Sequence, residues 1–204
     1  MPTEESDAPR RRGRGRRPAA EVRRDTLDAT ARTLFEVGLS GVTFEKVAAR
    51  AGVSKMTLYK WWPSPGALAF DAYFDHVEGV LGFPDTGDIE QDVTTQLTRF
   101  VDLLNSDGGP VIAEIIGAAQ ADRELSAAFS ARYSSPRRQL AVETFIRAQE
   151  RGQLRTDVDP HTLVDQLWGA CYFRLLIPDQ PIDHEFVRAL VSNLFSGIRG
   201  PRAR

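Results

Sequence analysis

The sequence predicts an all-α protein, with a small N-terminal three-helix head joined to a larger C-terminal helical bundle. Three observations predict it. Apolar residues recur at intervals of three and four along most of the chain, the spacing of one helix face. Ser, Thr or Asp precede several of these runs and Gly or Pro follow them, the residues that start and stop helices. No stretch alternates apolar and polar residues as a half-buried strand does, and no internal repeat is present. The 204 residues are 42% hydrophobic and 26% charged, a globular composition sufficient for one large or two small domains.

Residues 1–18 carry almost no aliphatic side chain and cannot bury enough apolar surface to order themselves. Within them Arg10, Arg11, Arg12, Arg14, Arg16 and Arg17 make a basic arm broken by two glycines. Such an arm is a solubilising tail when alone, and a strand-tracking or minor-groove element when it adjoins a DNA-binding head. A first helix is expected from Ala19 to Val37, with Val22, Leu27, Ala31, Leu34 and Phe35 inward and Gly38 at its end. After the loop 39–42, Phe44, Val47, Ala48 and Ala51 form the stripe of a short helix. Thr43 stands at its N-cap and Gly52 at its left-handed C-cap. Ser54 caps the next helix, whose Leu58 and Trp62 face back while Lys55, Met56, Thr57, Tyr59 and Lys60 face out. Two short helices around a tight turn, the second presenting cations and hydroxyls, form the helix-turn-helix layout whose second helix enters the DNA major groove.

Ser64 and Pro65 open a fourth helix carrying Leu68, Phe70, Tyr73, Phe74 and Val77, which ends near Gly79–Gly82. It is the expected mechanical link between head and bundle. Helices follow over 89–104, 110–121 and 123–149. The last of these carries Leu125, Phe129, Tyr133, Leu140, Phe145 and Ile146, is kinked or split at Pro136, and ends at Gly152. Asp159 caps a helix from Pro160 that Pro178 stops, and Asp183 caps a final helix running to Ile198. These last two are apolar over more than one face, which fits either deep burial or a two-fold dimer interface.

Charge separates the two parts. Residues 1–62 hold 13 Lys and Arg against 8 Asp and Glu, and the remainder 13 against 20. A basic first third on an acidic remainder suggests one part that meets a polyanion and one that does not. The lone Cys171 excludes an intramolecular disulfide and fits a reducing cytoplasm. No run is long and apolar enough to span a membrane, and no signal-peptide core follows the N-terminal charges, so a cytoplasmic location without membrane attachment is expected. His76, His161 and His184 make no metal-spaced group, and no nucleophile elbow, Walker loop or dinucleotide fingerprint occurs. Neither a cofactor, a metal nor catalysis is expected.

Residues 43–68 resemble the TetR family of bacterial transcriptional regulators. Thr43, Val47-Ala48, Ala51-Gly52-Val53-Ser54, Thr57-Leu58-Tyr59 and Ala67-Leu68 carry the resemblance, and Trp61-Trp62 stands where the family has an aromatic. The resemblance implies a homodimer that binds a double-stranded DNA operator through its heads and takes up a small molecule in its C-terminal domain. Thr43 would contact a phosphate, Lys55 and Met56 fall where bases are read, Thr57, Tyr59 and Lys60 would contact phosphate or sugar, and Ser54 belongs to the same DNA-binding set. Arg14, Arg16 and Arg17 of the arm would extend the contact. Met56 replaces a residue that is commonly small, so it either meets a thymine methyl or covers the groove edge. Pro65 replaces a common cation. The expected division is residues 1–18 as a flexible basic arm, 19–66 as the DNA-binding head, and 67–204 as a ligand-binding and dimerisation domain, the dimer forming through the last two helices.

The resemblance supplies no ligand residues. By physical reading, Phe74, Phe100, Ile115, Phe129, Phe145, Trp168 and Tyr172 are candidates to line an apolar pocket, with Glu114, Gln120 and Asn105 as anchors, although each aromatic also suits a plain core. The expectation is a ligand-responsive regulator, a repressor released from its operator by a small, largely apolar effector. The alternative is a constitutive or architectural DNA-binding protein whose bundle only dimerises.

Overall fold

The computed structural model describes residues 17–78 and 82–197. Ten α-helices are present among the described residues, and no strand. They are α1 (Ala19–Val37), α2 (Phe44–Ala51), α3 (Lys55–Trp61), α4 (Pro65–Val77), α5 (Ile89–Asn105), α6 (Gly108–Ala121), α7 (Arg123–Phe129), α8 (Ser135–Glu150), α9 (Pro160–Leu176) and α10 (His184–Ser196). A 3-10 turn joins α1 to α2, and a π turn over Ser130–Ser134 joins α7 to α8.

Helix α1 buries Leu27, Ala31 and Leu34 together with three threonines. Thr26, Thr30 and Thr33 hand their hydroxyl protons to the carbonyl four residues back, at 2.7, 2.7 and 2.9 Å, so buried polar atoms cost little there. In the head, Thr43 caps α2 by accepting from the Lys46 N–H at 3.2 Å, and Ser54 caps α3 by accepting from the Thr57 N–H at 3.2 Å. Gly52 between them has φ 66° and ψ 33°, the left-handed conformation that a β-carbon disfavours.

Helix α4 starts as expected, with Ser64 accepting from the Ala67 N–H and Pro65 in the first turn. It lies against α1 and touches α7. Leu68, Ala69, Phe70, Ala72 and Tyr73 on it are all buried, so one apolar core runs from Leu27 in the head to Val191 in α10. Its helical hydrogen bonding reaches Val77, and Gly79 lies outside the described residues.

Two expectations are corrected and a third is narrowed. Helix α6 begins at Gly108 rather than Pro110. The α5–α6 turn is so tight that a β-carbon on Gly109 would stand 1.9 Å from the Leu104 carbonyl oxygen. Of the kink or split expected at Pro136, the run over 123–149 takes the split: it is two helices, and the break falls before the proline. A proline ring clashes with the carbonyl four residues back, here that of Arg132, and the chain widens into a π turn over that residue. Pro136 itself sits in the first turn of α8, where its missing N–H is no loss. Finally, Leu140 and Ile146 on α8 are exposed rather than inward.

Asp159 and Asp183 cap α9 and α10 as expected, and α9 stops one residue before Ile177-Pro178. Helix α10 packs on α5 and buries Val187 and Val191; Ile198 lies outside the described residues. The end of α9 and the residue after it present Phe173, Leu176 and Ile177 to solvent.

Candidate DNA-binding head and effector cavity

The head presents one outward surface. Leu58 and Trp62 are buried, which turns the opposite side of α3 to solvent. On that side Met56 is 76% exposed, and Tyr59, Lys55 and Lys60 are also exposed. Tyr59 is steadied by an edge-on contact with Phe44 of α2, with ring centroids 4.7 Å apart. Thr57 is half-buried, its hydroxyl 2.9 Å from that of Ser54. Lys55 Nζ lies 2.8 Å from Glu45 Oε1, a pairing that sequence spacing did not suggest. Each holds the other charged: the Glu45 carboxyl sits below its usual range and the Lys55 ammonium above. Arg17 pairs with Glu21 at 2.9 Å and with Asp25, so in this structure it lies along α1. Arg14 and Arg16 lie outside the described residues.

In the bundle a cavity of about 320 Å³ opens between α5, α6, the π turn, α8 and α9. Of the eight candidate pocket residues, Phe100, Phe129, Trp168 and Tyr172 line it. The other four candidates do not. Ile115 is wholly buried core one position before the true wall residue, Ile116. Phe145 packs behind the wall, 6.5 Å from the Trp168 ring centroid. Phe74 stacks on Tyr133 at 4.1 Å but faces the neighbouring cleft beside α4. Glu114 points to the head, where its carboxylate accepts the Leu39 N–H at 2.6 Å. Of the suggested anchors, Asn105 donates to the Ile182 carbonyl at 2.6 Å and Gln120 faces a shallow surface cleft.

The polar groups that do reach the cavity are Gln96, Tyr133, Ser134, Arg137, Arg138 and Asp165. One glutamine on a helix carries no sequence pattern, and the burial of Gln96 is a property of the packed bundle. The hydroxyls of Tyr133 and Tyr172 are 3.3 Å apart, and burial pushes both phenols upward, so both are neutral. Burial also pulls the Arg137 guanidinium downward. Arg138 and Asp165 pair across the rim. Burial raises the Cys171 thiol on the same helix to about 12, so it is unreactive there.

The head meets the bundle at Asp71 of α4, which lines the neighbouring cleft and whose side chain is 4% exposed. Asp71 accepts from Trp62 Nε1 at 2.8 Å, from Arg23 at 3.1 Å and from Arg132. Trp62 closes α3, Arg23 belongs to α1 and lies 5.4 Å over the Trp62 ring, and Arg132 belongs to the π turn. Phe129, Tyr133 and Ser134, in and beside that turn, line the cavity.

Comparison with known proteins agrees with both halves. Residues 27–71 match the family profile of bacterial regulatory proteins, tetR family, and residues 83–194 match that of the tetracyclin repressor-like C-terminal domain. The HTH-type transcriptional regulator YdeS of Bacillus subtilis is 36% identical over 93% of this chain and 96% of its own length. AqdR, an HTH-type transcriptional regulator of Rhodococcus erythropolis, is 30% identical over 70% of this chain and 67% of its own. The crystal structure of the TetR family transcription regulator SCO0332 superposes with a TM-score of 0.81 at 52% identity, covering 88% of this chain and all of that one. No described helix is long and apolar enough to cross a membrane. With its helix-turn-helix head, its all-helical body and full-length relatives of the same kind, the chain belongs to the TetR family of bacterial regulatory proteins and is a DNA-binding transcriptional regulator.

Proposed function

We propose that the protein is a homodimeric repressor released from its operator by a small, largely apolar effector bound in the α5–α9 cavity. The observation that carries this reading is that one π turn supplies both cavity wall and the Arg132 grip on Asp71 beneath the recognition helix. An effector that favours a different setting of this turn shifts the two heads by its differential affinity for the two arrangements, and by no more. Residues 19–66 act as the head and 67–204 as the effector and dimerisation unit, with α4 shared between them. Thr43, Ser54, Thr57, Tyr59 and Lys60 contact the DNA backbone, Lys55 and Met56 face base edges, and Arg14, Arg16 and Arg17 extend along the duplex. The exposed Phe173 and Leu176 on α9 and Ile177 just past its end, with α10, supply the two-fold interface.

The experiment is nuclease footprinting of the purified protein on DNA flanking its own gene, repeated with a panel of small apolar molecules. A two-fold-symmetric protected site that one compound abolishes is the expected result. Symmetric protection that no compound in a broad panel removes favours a constitutive DNA-binding protein instead.

A further inference from the structure

Gln96 of α5 forms part of the cavity wall and is 1% exposed. Its amide orientation is set by chemistry. Indole Nε1–H donates only, so the end of the amide 3.0 Å from Trp168 Nε1 is the oxygen. The other end is therefore the NH2 group, and Nε2 is buried with no acceptor among the described residues. A buried donor left unmet is costly, and the described cavity shows no matching buried acceptor without a partner. The rest of the wall near it is aromatic: Phe83, Phe100, Trp168 and Tyr172. Phe83 and Trp168 lie 5.6 Å apart between ring centroids, and Phe100 and Tyr172 5.4 Å apart.

From this wall we infer that the effector is a compact ring-bearing apolar molecule carrying a carbonyl-type oxygen, which accepts from Gln96 Nε2 while its rings lie among the aromatics. The inference rests on the reading of this cavity as the effector site. Gln96 sets specificity by a difference. A hydrocarbon of the same shape leaves the amide donor unmet, whereas a carbonyl replaces the hydrogen bond it gives up to water. Trp168 holds the amide in place, so the donor is oriented before the ligand arrives. A volume of about 320 Å³ restricts the ligand to the small end of the range usual for such pockets.

The test uses two probes of one shape, 1-indanone and indane, titrated into the ¹⁵N-labelled full chain while the Gln96 side-chain amide and Trp168 indole resonances are followed. The wild type is expected to bind the ketone roughly three- to ten-fold more tightly than the hydrocarbon, the worth of one net hydrogen bond. The Gln96 amide signal moves on addition of the ketone. In Gln96→Met the order reverses, because the carbonyl now gives up its water for nothing. Equal binding of the two by the wild type, or a ketone preference that survives in Gln96→Met, overturns the inference and leaves the cavity reading intact. Binding of neither probe overturns the cavity reading and this inference with it. If Gln96→Met does not fold, the wild-type preference and the Gln96 amide shift decide the matter.

Discussion

Replacing Asp71 by alanine tests whether the junction between head and bundle is held by one buried carboxylate. Three donors converge on it: Trp62 Nε1 at 2.8 Å, Arg23 at 3.1 Å and Arg132. Trp62 is buried, so its N–H loses its acceptor where water does not replace it, at a cost of about 1–3 kcal/mol. The two arginines are 43% and 54% exposed and recover water, so together they add only about 0.5–1 kcal/mol. The substitution is therefore expected to destabilise the protein by about 1.5–4 kcal/mol, or roughly 3–16 °C in Tm for a chain of this size. Urea unfolding of the wild type, Asp71→Ala, Trp62→Phe and the double variant measures it. In Trp62→Phe the donor is already gone, so Asp71→Ala costs less in that background, and a coupling of about 1 kcal/mol or more is expected. A loss under about 0.5 kcal/mol, or a coupling near zero, would refute the view that the carboxylate holds this junction.

Further expectations concern the head, a turn and the thiol. Lys55→Ala is expected to cost about 1–3 kcal/mol on the operator and less on random DNA, whereas Glu45→Gln, which frees Lys55 and removes a negative charge, raises affinity for both DNAs, most at low salt. Gel shifts at two salt concentrations check this; equal losses on both DNAs in Lys55→Ala make it a phosphate contact, and an unchanged Glu45→Gln removes the ion pair from the argument. Gly109→Ala places a β-carbon 1.9 Å from the Leu104 oxygen and is expected to destabilise the protein by about 1–3 kcal/mol, a loss that an unshifted melting curve would contradict. Because burial holds the Cys171 thiol near 12, the native protein is expected to resist a thiol-specific disulfide reagent at pH 8 and to react on unfolding in urea. Rapid labelling of the folded protein would show that the α9 core is open.

What the sequence could show was set by local chemistry. A cap needs one oxygen and one N–H two or three residues on, so Thr43, Ser54, Ser64, Asp159 and Asp183 could be placed from the chain alone, and each accepts the expected bond. The head was legible as a whole because its stripe, caps and turn fall within twenty residues. The break ahead of Pro136 was only half legible. The proline announces a disturbance, but whether a helix kinks, splits or widens depends on what the preceding turn packs against.

The cavity was legible only in part, for a different reason. Periodicity says which side of a helix faces inward, and it cannot say which inward residues meet a neighbour and which meet a gap. Ile115 and Ile116 are adjacent and equally apolar, yet one is solid core and the other cavity wall. Phe145 and Trp168 read alike, and only the crossing of α8 and α9 puts one behind the other. Asp71 and Gln96 look like ordinary polar residues on amphipathic helices. Their importance comes from partners 48, 61 and 72 positions away, brought to them by packing. The sequence by itself determined the helices, most of their ends and the outward face of α3, because those depend on neighbours along the chain. The tertiary structure alone decided the cavity, its unmet donor and the Asp71 junction, because these depend on how separate helices fill, or fail to fill, the space between them.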